Sequence, residues 1–307
     1  MNKNSKDCNR KRRMTTTFFS AAFFLLFLSQ GWCANSASSA GMAVTPAHVT
    51  VLMYHKVSDN PEESPDHTLV RVARFEEQMK YLKDNGYTTI DLYDLKAYMD
   101  KKISLPEKSV VLTFDDGWKS VKNAIPIMKK YNFKATFFIV LEYIDGAYPA
   151  FLTWEEFSEI LADRNFDVGC HSHTHPWIPG NHLISWLTGK TPNRSRSDVV
   201  AEVAGAKKSM EDKLQRPIVH YSWPSGWYNA ELLAIARDSG YITTVTTDQG
   251  VNMPGMDPMK IRRYPVYGQF SIEQFGQLLT TNFGDVSPMA GSVPAGKDAA
   301  SGYPTRK

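Results

Sequence analysis

Three cysteines in 307 residues leave little room for disulfide bonding. Cys8 and Cys33 lie in a segment patterned like an export leader, so cleavage after Cys33 leaves Cys170 alone, with no intrachain bridge to make. Stability must then come from a packed core. The apolar run from Phe18 to Leu28 falls short of the roughly 20 residues that span a bilayer comfortably. No basic cluster lies beyond the leader, which argues against a nucleic-acid partner. No internal repeat is evident, and the length leaves no place for a second catalytic domain such as a glycosidase.

The two ends read as separate from the fold. Lys3, Lys6, Arg10, Lys11, Arg12 and Arg13 precede the apolar run, and small or polar residues follow from Gly31 to Ala43. This predicts a signal peptide over residues 1–34, cleaved between Cys33 and Ala43, or an uncleaved N-terminal anchor. Either places the working domain outside the cytoplasm: in the periplasm, at the cell surface or secreted. Trp32 stands where a lipid-attachment signal wants a small residue, which argues against lipidation. The leader also carries the charge. Without its six basic residues and Asp7, the formal +3 becomes −2, with 29 Lys+Arg against 31 Asp+Glu. Residues 285–307, rich in Ser, Pro, Ala and Gly, read as a flexible tail. One domain over 47–283 remains.

Within it, β-rich runs alternate with helical patterns. Strands are expected at 49–54, 88–90, 109–114, 135–140, 167–169, 219–221 and 242–246. Helices are expected at 74–85, 92–100, 119–131, 153–161, from Ser197-Asp198 to Leu214, and after Asn229. Thr153-Trp-Glu-Glu156 has the form of a capping box. Such alternation predicts an α/β fold of parallel strands with helices packed outside, as an open doubly wound sheet or a barrel. In either, chemistry gathers on loops at the carboxyl ends of strands.

Two stretches fall there. Val110-Val-Leu-Thr-Phe-Asp-Asp-Gly117 is a strand built for burial that ends in adjacent acids, which repel one another unless a cation or proton compensates. The same Asp-Asp-Gly is also a plain turn signal. Cys170-His-Ser-His-Thr-His-Pro176 holds three of the eight histidines. Two imidazoles and one carboxylate form a common zinc set with a position left open for water.

Together these stretches resemble the motifs of the NodB-type polysaccharide deacetylases, carbohydrate esterase family 4. Thr113-Phe-Asp-Asp-Gly117 matches the first motif and His171-Ser-His-Thr-His175 the His-[Ser/Thr]-x-x-His motif, about fifty residues later. The resemblance implies a single distorted (β/α) barrel. It implies Asp116, His171 and His175 as ligands of one divalent metal ion, zinc first, with Asp115 as the base. His173 is an intervening residue, and Ser172 and Thr174 are expected to tie the loop down.

The third motif departs from the pattern. Where the family has Arg-x-Pro-[Tyr/Phe]-Gly, this chain has Ser222-Trp-Pro-Ser-Gly226. The usual arginine is missing, while the Ser225 N–H remains a candidate oxyanion donor. Lys260-Ile-Arg-Arg-Tyr-Pro-Val266, Met53-Tyr-His55 and Phe75-Glu-Glu-Gln-Met-Lys-Tyr-Leu-Lys-Asp-Asn-Gly-Tyr87 resemble segments of the poly-β-1,6-N-acetylglucosamine deacetylase branch. That likeness implies Arg263 as the replacement that orients Asp115; the alternative is a surface arginine on an edge strand. It implies His55 as general acid in place of the late histidine motif, since no histidine follows His220; the alternative is a purely structural histidine.

Trp177, Trp223 and Trp227 are candidate sugar-stacking residues, with burial in the core as the alternative for each. The expected function is metal-dependent hydrolytic N-deacetylation of an N-acetylglucosamine polysaccharide, releasing acetate. The enzymatic alternatives are peptidoglycan and chitooligosaccharides; the rival class is a catalytically weak carbohydrate-binding module. A cell-envelope or secretion apparatus is the other partner class.

Overall fold

A computed structural model describes residues 46–60 and 67–280. The leader expected at 1–34, the tail expected at 285–307 and the last residues of the domain expected at 47–283 lie outside the described residues.

In chain order the strands are β1 (Thr50–Tyr54), β2 (Lys56–Val57), β3 (Leu69–Val70), β4 (Thr88–Thr89), β5 (Ser109–Phe114) and β6 (Ala135–Ile139). They continue with β7 (Phe166–Cys170), β8 (Trp177–Ile178), β9 (Asn181–His182), β10 (His220–Ser222), β11 (Thr243–Val245) and β12 (Tyr264–Pro265). Among the described residues, one eight-stranded sheet runs β11-β10-β7-β6-β5-β1-β12, with β4 also paired to β5. Its pairings are parallel throughout. Two small ribbons, β2–β3 and β8–β9, stand apart from it.

The alternation left sheet and barrel open; the end of the domain decides for the barrel. Ile261 bridges Val245 of β11 in parallel, and the Thr246 N–H donates to the Ile261 carbonyl at 2.9 Å. Three residues on, Tyr264 pairs with Leu52 of β1. The segment from Ile261 to Val266 therefore touches both margins of the sheet and closes it into a distorted barrel.

Strands buried on both faces are read from near-continuous apolar sequence, and β5, Ser-Val-Val-Leu-Thr-Phe, is buried at every position. Alternate residues then serve two cores. Leu52, Tyr54, Leu112, Phe114, Phe137 and Ile139 pack with the helices outside. Val51, Val111, Phe138, Val245 and Ile261 belong to a smaller second cluster. Positions 111, 113 and 115 share one side by the period-2 rule. That directs Asp115 toward the barrel interior at the carboxyl rim.

The helices follow their local signals with some shifts. Thr153 and Glu156 make the expected capping box, Glu156 N–H to Thr153 Oγ1 and Thr153 N–H to Glu156 Oε2. The helix expected over 119–131 opens as a 3-10 turn, Lys119–Asn123, before its α part, Ala124–Tyr131. The helix expected to start at Ser197-Asp198 starts at Arg196. Ser195 is its N-cap, and the Asp198 carboxylate accepts the Ser195 N–H at 2.8 Å. That helix, continuing to Leu214, contains a π-helical turn at Ala201–Gly205 that the apolar spacing did not announce. No helix of the described residues is long and apolar enough to cross a membrane.

Candidate active site

At the carboxyl rim the chain must turn sharply after β5. It does so with two successive left-handed residues, Asp116 at φ 74° and Gly117 at φ 78°. A Cβ on residue 117 would lie 3.1 Å from Ile139 Cγ2, so glycine suits both the angle and the space. The turn separates the two acids. Asp115 continues inward, while the Asp116 carboxylate is held by the Trp118 indole N–H at 2.9 Å through Oδ2. Trp118 stacks on Phe151 and carries the Lys56 ammonium 4.1 Å above its ring.

The other Asp116 oxygen faces the histidines that follow β7. Asp116 Oδ1 lies 3.3 Å from His171 Nε2 and 3.6 Å from His175 Nε2. One donor atom from each of the three residues falls within 4.8 Å of the others. Tetrahedral zinc, with bonds of about 2.0–2.2 Å, puts its ligand atoms about 3.3–3.6 Å apart. The donor set and its spacing thus fit a small divalent cation. His171 is already in the right tautomer: its Nδ1–H donates to the Ser222 carbonyl at 2.8 Å, leaving Nε2 to ligate.

The titration of the trio reflects the same crowding. Burial raises the pKa of Asp116, but the hydrogen bond with His171 and the charges of the neighbouring histidines hold it well below the usual carboxylate range. Burial lowers that of His171, yet Asp116 and Asp115 outweigh it and the pKa is raised. His175 is driven down to about 3 by burial and by the charge of His171, and stands as a neutral imidazole.

Asp115 is 2% exposed and receives a two-pronged contact from Arg263: Nη1 to Oδ1 at 2.8 Å and Nη2 to Oδ2 at 2.7 Å. The guanidinium is itself fully buried. It also donates to the Thr246 carbonyl (2.9 Å), Ser222 Oγ (3.1 Å) and Thr113 Oγ1 (3.2 Å). The surface-arginine alternative is thereby excluded. Ser222 explains the geometry: a small hydroxyl at the motif's arginine position leaves space for a guanidinium arriving from across the barrel. Burial raises the Asp115 pKa, but Arg263 and then His171 offset it and the carboxyl stays low.

His55 follows β1, and the Asp115 N–H donates to the Tyr54 carbonyl at 2.9 Å, which seats His55 beside the acid pair. The residue is half-buried. Ser225 is exposed on the loop after β10, at φ 52°. Trp177 and Trp227 are half-buried, with the Trp227 ring 4.2 Å from that of His182 on β9. Trp223 corrects the sequence expectation of a sugar contact. It is fully buried, packed on Tyr221 with its indole N–H given to Thr244 Oγ1 at 2.9 Å, so it presents no face to a ligand.

Three supporting residues escaped the sequence reading. Ser222 stands in the sequence only as the missing motif arginine, yet it contacts Asp115, Arg263 and His171 at once. Trp118 and Glu202 belong to none of the motifs, although an acid on the buried side of a helix is a legible signal. Glu202 is 5% exposed.

A model of the polysaccharide deacetylase family matches residues 102–244, a span that holds the acid pair and the histidines but neither His55 nor Arg263. Among curated proteins, YxkH of Bacillus subtilis (strain 168), provisionally designated a polysaccharide deacetylase, is 34% identical over 234 residues, covering 75% of this chain and 76% of that one. The poly-beta-1,6-N-acetyl-D-glucosamine N-deacetylase of Escherichia coli (strain K12) is 24% identical over 263 residues, 75% of this chain; the match spans 38% of that protein's length. Among solved structures, the Streptococcus pyogenes deacetylase PplD in complex with acetate superposes with a TM-score of 0.67 at 25% identity, over 77% of this chain and 100% of that one.

Proposed function

This chain belongs to the polysaccharide deacetylase family, hydrolases of amide bonds in acetylated polysaccharides, and on that premise we propose that it removes acetyl groups from an N-acetylglucosamine polymer with a divalent metal ion, zinc first. The observation that carries the reading is the juxtaposition at one rim of a buried Asp-His-His donor set and a separate carboxylate locked by an arginine. A structural ion would need the first alone.

Asp116, His171 and His175 would hold the ion. When bound, such an ion supplies Lewis acidity, sharpening a water nucleophile and polarising the acetyl oxygen. The chain's own residues do the rest. Asp115, kept ionised by Arg263, takes the proton from the attacking water as the new C–O bond forms. The Ser225 N–H is the donor offered to the developing oxyanion. His55 gives a proton to the departing nitrogen as the C–N bond breaks, since an amine anion cannot leave at neutral pH. The products are acetate and a free amino sugar. Half-buried Trp177 and Trp227 are the aromatic faces available for sugar rings.

As substrate we favour a β-1,6-linked N-acetylglucosamine exopolysaccharide, supported by the 24% identity to the Escherichia coli enzyme of that specificity and by Met53-Tyr-His55. The basic-then-apolar N-terminus supports an exported location. The test is acetate release from a panel of β-1,6-glucosamine polymer, chitin oligomers and peptidoglycan, with and without a chelator. Metal-dependent release, greatest on the β-1,6 polymer, is expected; release greatest on another polymer moves the substrate. No metal-dependent release from any of them sinks the enzymatic reading in favour of a carbohydrate-binding module. Asp115→Asn should abolish turnover while leaving the metal bound.

A further inference from the structure

The stretch from His171 to His175 is held in a conformation that its sequence does not favour. Ser172 at φ 69° and His175 at φ 53° are left-handed, a state that costs a non-glycine residue on the order of 1–2 kcal/mol. Such strain persists where the surroundings over-determine it. Part of the support is local: Ser172 Oγ accepts the His175 N–H at 2.9 Å. Part comes from the turn after β6, where the N–H groups of Leu141 and Glu142 donate to the carbonyls of Ser172 and His173 at 3.2 and 2.8 Å.

Three further donors of the loop end on a single carboxylate. Glu202 accepts the His173 N–H at 3.0 Å and the Thr174 N–H at 2.8 Å through Oε2, and the Thr174 hydroxyl at 2.6 Å through Oε1. Hydrogen bonds to a charged acceptor are about twice as strong as neutral ones, and the carboxylate that accepts these is itself buried. Glu202 comes from the π-helical turn Ala201–Gly205. The residue inserted there shifts the phase of the helix between Val199 and Met210, both of which remain in the core. A π-turn within an otherwise α-helical run commonly marks a functional position.

We propose that Glu202 is a positioning residue that clamps the 171–175 loop and so fixes His171 and His175 as a matched pair of cation ligands. The proposal rests on the metal-binding reading given above. It assigns the π-turn a purpose: to bring one acid over a loop that lies between two ligands.

The test uses the purified full chain, metal-stripped, with Zn²⁺ affinity read by competition against a chromophoric chelator and Co²⁺ loading read by visible absorption. Glu202→Ala is expected to weaken Zn²⁺ binding by about 10-fold to 100-fold, as for other residues that orient ligands, and to alter the Co²⁺ bands. Glu202→Gln keeps a carbonyl oxygen for both loop N–H groups and is expected to restore most of the affinity and the native spectrum. Should the alanine variant not fold, Glu202→Asp, with its carboxylate drawn back by one methylene, is expected to fall between the two. A folded Glu202→Ala or Glu202→Asp protein with wild-type Zn²⁺ affinity and Co²⁺ spectrum overturns the proposal alone. Wild-type protein that binds neither ion overturns the metal reading and this proposal with it.

Discussion

Arg263 gives the sharpest test of how the site is held. Replacing it by alanine removes both prongs on Asp115 and the donors to Thr246, Ser222 and Thr113. Asp115 stays buried, so its charge is stranded. Breaking one side of a buried pair costs about 3–5 kcal/mol. At about 2–4 °C per kcal/mol for a domain of this size, the melting temperature should fall by roughly 6–20 °C. If the cost is the stranded charge, Asp115→Asn should relieve much of it. A double-mutant cycle on unfolding free energy should then return a coupling of about 2–3 kcal/mol. Activity offers an independent reading. Without Arg263, burial acts on Asp115 with less opposition, so its pKa rises and the acidic limb of the kcat/KM profile moves to higher pH. Arg263→Lys keeps the charge but not the fork, and should retain only part of the stability. Coupling below about 0.5 kcal/mol, with an unmoved acidic limb, would refute the reasoning and leave Arg263 as a packing residue.

Saturating the metal-free protein with Zn²⁺ at about 100 times its Kd should stabilise it by about 2.7 kcal/mol, seen as a higher melting temperature. His175→Ala should abolish that rise, and a rise that survives the substitution places the ion elsewhere. His220, buried under Tyr93 with its pKa driven down to about 3 by burial, is neutral in the fold and protonates on unfolding. Its folded pKa lies below the unfolded value of about 6.5, so stability falls as pH drops through that window, by about 2 kcal/mol near pH 5. Melts at about pH 7.5 and about pH 5 should show a shallower loss for His220→Gln, and equal losses would contradict the assignment. Gly117→Ala forces a Cβ into left-handed backbone 3.1 Å from Ile139 and should cost about 1–2 kcal/mol in urea unfolding. A neutral result would show that the turn after β5 is adaptable.

The parts of the fold legible in sequence were those with a repeating signal. Val110 to Phe114 reads as buried strand because every position is apolar or neutral, and Thr153–Glu156 reads as a helix start because the cap is local. The strand Tyr264–Pro265 carries no such pattern; it is two residues long and is defined by its pairing with Leu52 and Met53 of β1, a contact remote in sequence. The same distinction holds at the site. Asp115, Asp116, His171 and His175 sit in two contiguous motifs. The contact between Asp115 and Arg263 joins positions 148 residues apart, and its geometry depends on Ser222, a residue notable in sequence only for what it replaces. Trp223 and Trp227 illustrate the limit: four positions apart on one loop, one is core and the other half-exposed, and only packing tells them apart.

The closing segment from Ile261 to Val266 also sets an order of events as the chain emerges. Strands β1 and β5, which carry His55 and the acid pair at their ends, are made early, and the arginine that neutralises Asp115 is among the last residues of the domain to appear. Until it does, the nascent barrel has two unpaired margins and an unmatched charge in its interior. Chains stopped short of residue 261 would therefore be trapped with sticky open edges, exposed to aggregation and proteolysis rather than surviving as feeble catalysts. The arrangement ties the pairing of Asp115 with Arg263 to completion of the fold.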